Sequence, residues 1–151
     1  MVTATRTRVP ENTASHVNRE IRQQIEQNVH RYAAEPSEIA HRLRELDQEW
    51  DIERAIEANA AGIAFTGVLL GAFVNLWWLL LPALVTLFLF QHALQGWCPP
   101  VPILRRLGFR TSYEIELERN ALKAVRGDYA DVQSASDKAT AALAATQHAS
   151  L

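Results

Sequence analysis

Apolar positions recur at helical spacing toward both ends of the chain, and between those regions lies a block where the alternation stops. Val17, Ile21, Ile25, Val29 and Tyr32 recur every three or four residues, and Ile39, Leu43, Leu46 and Trp50 do the same. Each set lines one stripe of a helix and leaves the charges on the other faces. Glu35-Pro36-Ser37-Glu38 reads as the start of the second helix, with proline at the first helical position, where a missing N–H removes no bond. Nothing between Ile52 and Ala60 breaks that helix, so it is expected to run on into the central block. Beyond the block, Thr111-Ser112-Tyr113-Glu114 fits a capping box. Ile115, Glu118, Leu122, Val125, Tyr129, Val132, Ser136, Ala139, Leu143 and Thr146 then follow a 3-4 register that suits a helix packing on a partner, a coiled coil included. Gly127 weakens that helix by about 1 kcal/mol relative to alanine. Residues 1–12 read as a disordered tail.

The central block carries no charge at all. Residues 58–104 contain no Asp, Glu, Lys or Arg, whereas residues 1–57 hold 8 basic and 11 acidic side chains and residues 105–151 hold 7 and 6. A net charge of −2 and an apolar content of 48% conceal this segregation. As one helix the 47 uncharged residues would reach about 70 Å, roughly twice a bilayer core, so two passes fit better. They divide as 58–74 and 76–95, with Asn75 at the turn and Pro82 expected to kink or delay the second helix. A buried pair inside a soluble bundle would need apolar flanks to cover it, and these flanks are polar. The fold class expected is therefore all-α: a two-span transmembrane helical hairpin over 58–95, flanked by amphipathic cytoplasmic helices in 13–57 and 111–147. Gly96-Trp97-Cys98-Pro99-Pro100-Val101-Pro102 leads out as an extended segment, and Ile103–Leu107 follows as one interfacial helical turn stopped at Gly108, so that 96–110 forms a Pro-rich exit and interfacial segment.

Charge then orients the spans. Arg42, Arg44 and Arg54 precede the first, Arg105, Arg106, Arg110, Arg119 and Lys123 follow the second, and the turn has no cation. The positive-inside rule places both termini in the cytoplasm. Trp77 and Trp78 at the turn, and Trp97 with Arg105 and Arg106 at the other end, read as interface anchors. The arginines near the N-terminus are accompanied by no apolar run, so an uncleaved internal anchor is expected rather than a cleaved signal. Interspersed charges of both signs argue against nucleic acid as a partner.

Candidate chemistry is sparse. Gly67 and Gly71 form a GxxxG pair that Gly62 extends upstream, allowing close helix approach within one chain or between copies. Gln91, His92, Gln95 and Cys98 lie near the end of the second span, but His92 and Cys98 supply two of the four ligands of a closed zinc site, and no metal or other cofactor is expected. Cys98 is the lone cysteine, which rules out an internal disulfide. Arg105 and Arg106 in its neighbourhood would favour the thiolate and with it a reactive thiol, yet no base or resolving cysteine is expected nearby, and an inert interfacial cysteine is the plainer expectation. Arg126-Gly127-Asp128 matches an adhesion tripeptide but falls inside an expected cytoplasmic helix. No phosphate-binding loop, dinucleotide fingerprint, HExxH or Ser-His-Asp arrangement is present, so catalytic residues are expected to be absent.

The two short spans, the exit motif Gly96-Trp97-Cys98-Pro99 and the following Leu104, Leu107 and Gly108 resemble the YgaP-like transmembrane domain over roughly residues 50–110. The resemblance implies a helical hairpin of the bacterial inner membrane, found alone or behind a rhodanese domain that handles sulfane sulfur. This chain has no rhodanese domain, so sulfurtransferase activity is not implied. The function expected is a non-enzymatic membrane anchor or scaffold, with the lipid bilayer, further copies of itself or a soluble cytoplasmic protein as partners. A sulfur or redox relay through Cys98, serving a rhodanese-type protein, is the alternative, and remodelling of the membrane surface by the amphipathic arms is a third reading.

Overall fold

The computed structural model describes residues 4–132, 135 and 137–147. Every regular element among them is helical: α1 (Arg8–Glu11), α2 (Ser15–Ala34), α3 (Ile39–Gln48), α4 (Ile52–Phe73), α5 (Leu80–Gln95), α6 (Val101–Arg106), α7 (Ser112–Arg126) and α8 (Lys138–Gln147). Single 3₁₀ turns occupy Pro36–Glu38, Leu76–Leu79 and Ala130–Val132. The chain divides into two compact units, one formed by Met1–Glu20 with Trp50–Ser112 and the other by Ile21–Glu49 with Tyr113–Leu151.

In the first unit α4 and α5 pack against each other. Backbone reversal occurs at Val74 and Asn75, and the Asn75 side chain accepts from the Trp77 N–H to start the 3₁₀ turn before α5. Pro82 delays rather than kinks: it stands at the third position of α5, among the residues whose N–H groups have no helical acceptor in any case. Gly67 and Gly71 are both buried, and it is Pro82 and Leu79 of the opposing segment that occupy the space a Cβ would take. Gly62 faces open space, so the small-residue stripe does not extend that far in this packing. Two helical stretches, one ending at Phe73 and the other over Leu76–Gln95, are long and apolar enough to cross a membrane.

Several local expectations are corrected. The helix beginning at α3 does not run on: it stops at Gln48, and Asp51, in extended conformation, caps α4 by accepting from the Arg54 N–H at 2.8 Å. In place of a disordered tail, Arg8–Glu11 forms a helical turn whose Val9 is buried. The proline run does not stay extended, because α6 starts at Val101 with Pro102 in its first turn, where proline is tolerated. Gly127 ends α7 outright. At φ +91° it occupies the left-handed region, and both its N–H and that of Asp128 bond to the Lys123 carbonyl. The ten-position register therefore breaks there, and its Ser136 lies outside the described residues.

The second unit has its own core. Ile39, Leu43 and Leu46 of α3 pack with Ile115 and Leu122 of α7, and Val29 and Tyr32 of α2 close over them. Fully buried Glu118 accepts from Arg42 Nε at 2.9 Å and from Asn28 Nδ2 at 3.2 Å. Trp50, the last member of the α3 stripe, belongs instead to the first unit, where it is exposed with the Arg54 guanidinium 4.4 Å from its ring centre.

Candidate functional site

Within the first unit the last turn of α5 and the first turn of α4 stand at the same level, as the two ends of an antiparallel pair must. That places Glu53, one residue after the start of α4, against His92, near the end of α5. Nε2 of His92 donates to Glu53 Oε2 at 2.7 Å, and the other carboxylate oxygen accepts from Arg8 Nη2 at 2.9 Å. His92 is 3% exposed and Cys98 2%. Nδ1 of His92 is buried with no hydrogen-bond partner among the described residues, and the Cys98 side chain is a neighbour of the same ring. Glu53 thus orients the imidazole, and the thiol lies on its other side, residue types that nucleophilic chemistry uses.

The N-terminal segment covers this cluster. Gly96 ends α5 in the left-handed region at φ +73°, and a Cβ there would come within 2.5 Å of the Arg8 backbone, so glycine meets two demands at once. Arg8 Nη1 donates to Ala93 O at 3.0 Å and Asn12 Nδ2 to Gln95 O at 2.8 Å, satisfying carbonyls the helix end leaves without donors. A guanidinium at this end also complements the helix dipole. Beside the thiol lies a cavity of about 340 Å³, lined by Ile56 and Ile63 of α4, Val85 and Leu89 of α5, Ile103 of α6 and Cys98 itself. Asn59, also on its wall, donates to Ala55 O at 2.8 Å.

The residues singled out in the sequence distribute unevenly. Cys98 joins the cluster, while Gly67 and Gly71 serve helix packing. Trp77 and Trp78 are exposed at the turn, Trp97 is half-buried, and Arg106 is exposed. Arg105 does not lie at a surface as an anchor would: it is buried, donating to Asn18 Oδ1 at 2.9 Å and Phe109 O at 3.2 Å. Sequence reasoning passed over Arg8 and Glu53. The signal for Glu53 was its place just before the uncharged block, at the depth His92 reaches as the chain returns. Among the described residues no group of three or more His, Cys, Asp or Glu is arranged to hold a metal ion. Comparison with known proteins gives no match, whether to a family model, a curated protein or a solved structure.

Proposed function

We propose that the chain is an integral membrane anchor of the bacterial inner membrane, crossing it twice as a helical hairpin and holding its helical arms at the cytoplasmic face, where they self-associate or dock a soluble protein. The observation that carries this reading is the exposure of large apolar side chains on both candidate spans: Phe73 is 84% exposed, Trp77 76%, Leu76 74% and Phe65 65%. Water would penalise that surface heavily, and hydrocarbon would not. The shared core of α3 and α7 adds a parity argument, because one precedes and the other follows the two spans, so an even number of crossings returns the chain to the side it left. The absence of cations from the turn supports the cytoplasm as that side. The exit motif Gly96-Trp97-Cys98-Pro99 fits the same reading through its resemblance to the YgaP-like domain. Alkaline carbonate extraction tests the anchor: the chain stays in the membrane pellet, and release into the supernatant would sink the reading.

A second reading, a sulfur relay through Cys98, is favoured by the imidazole base that the fold supplies beside the thiol. Mixing the full chain with a persulfide-loaded rhodanese-type protein would add one sulfur atom at Cys98 by intact mass. No gain on the wild-type chain removes the relay.

A further inference from the structure

The thiol of Cys98 is buried, but it is not sealed in. It forms part of the wall of the 340 Å³ cavity between α4, α5 and α6, whose other walls are almost wholly hydrocarbon. A polar sulfur donor finds little there to bond to. An acyl chain finds continuous apolar contact, and the cavity continues onto exposed apolar side chains, Ile63 at its α4 wall and Ile103 at its α6 wall. Dry apolar cavities of this size take apolar guests. Thiol, base and chain-sized cavity therefore meet at one point.

We propose that Cys98 is a self-acylation site, accepting a long-chain fatty acyl group from a soluble acyl thioester and lodging the chain in the cavity beside it. The free nitrogen of His92 takes the proton from the Cys98 thiol while Glu53 holds the ring and balances the imidazolium. Sγ attacks the thioester carbonyl carbon and a new C–S bond forms. The carbon–sulfur bond to the donor breaks, and the departing thiolate takes the proton back from His92. One thioester replaces another, so no oxidant or reductant is needed. The site rests on the anchor reading only in the supply of neighbouring hydrocarbon; the chemistry itself proceeds in detergent.

The test uses the full chain in detergent micelles, with palmitoyl-coenzyme A and acetyl-coenzyme A as probes. Intact mass should show one palmitoyl group on the wild-type chain, removable by neutral hydroxylamine and absent from Cys98→Ser. His92→Gln should slow the transfer by about 100-fold, the usual worth of a positioned base. Because His92 is buried, Ala60→Phe, on the α4 wall of the cavity, provides an independent variant: filling the cavity should cut palmitoyl transfer at least ~10-fold and leave acetyl transfer in place. Equal labelling of wild type and Cys98→Ser, or palmitoyl transfer indifferent to Ala60→Phe, would overturn the proposal. So would a wild-type chain that takes up sulfur from a persulfide donor but no acyl group. Carbonate extraction of the same preparation reports separately on membrane anchoring, so the failure of one reading is not mistaken for that of the other.

Discussion

At Gly67 an added Cβ would lie 2.6 Å from the Pro82 ring, and at Gly71 it would lie 2.5 Å from Leu79 Cδ2. The two contacts are alike in length and unlike in consequence. A leucine methyl rotates away, whereas a proline ring is fixed to its backbone. Gly67→Ala is therefore expected to cost about 1–2 kcal/mol, the scale of helix contacts in membranes, with Gly71→Ala costing less and Gly62→Ala nothing. Thermal unfolding in detergent orders the three, and equal effects at 62 and 67 would contradict the packing described. Gly96→Ala meets both a left-handed backbone and the Arg8 main chain, and should lose more than about 1 kcal/mol while exposing residues 4–12 to limited proteolysis. The GxxxG spacing was plain in the sequence, but it left open whether partner helices came from one chain or two. Pro82 and Leu79 give the two glycines an intrachain partner, which no count of spacings supplies.

Helix boundaries were legible wherever a strong local signal stood alone. Pro36 and the Ser112 start of α7 fall where expected, because proline and a polar cap act on their own backbone. Asp51 gives no such signal, because apolar periodicity runs through it; the cap works by offering the Arg54 N–H an acceptor at the start of α4. Asp51→Ala should destabilise the first unit by about 1 kcal/mol, measured by denaturant unfolding, and Asp51→Asn should recover most of that. Glu118 illustrates the converse. Its register position put it on the buried face of α7, and a carboxylate there requires a cation, but nothing in the linear pattern named Arg42 as the donor. Removing one partner leaves the other charge poorly solvated, so Glu118→Ala is expected to cost roughly 3 kcal/mol. Arg42→Met combined with Glu118→Leu should restore much of it in a double-mutant cycle. If the double variant were as unstable as the sum of the singles, the pair would not be the coupled unit described.

The charge map of the whole chain bears on the direction of crossing, and the core of the second unit bears on its parity. Since α3 and α7 share apolar contacts, reporters fused at the two ends should report the same compartment, which the positive-inside bias predicts to be the cytoplasm. An active periplasmic reporter on either end alone would break the parity, and on both ends would reverse the orientation. Arginine or lysine introduced at Asn75, in the uncharged turn, is expected to lower the fraction of correctly inserted chains without altering the arms.

Helicity, the two long apolar stretches, their dividing point at Asn75 and the amphipathic faces of α2, α3 and α7 all follow from the sequence by itself, because each rests on periodicity or on a residue acting on its own backbone. The chemistry did not follow in the same way. Glu53 and His92 are 39 residues apart and Arg8 and Glu53 are 45 apart, and only antiparallel packing of α4 and α5 with the N-terminal turn across them brings the three groups together. Cys98 was visible from the outset as a lone thiol. The imidazole near it, the carboxylate that orients that ring and the apolar cavity at its side were decided by tertiary structure, since side chains distant along the chain meet only after burial has fixed which helix faces which.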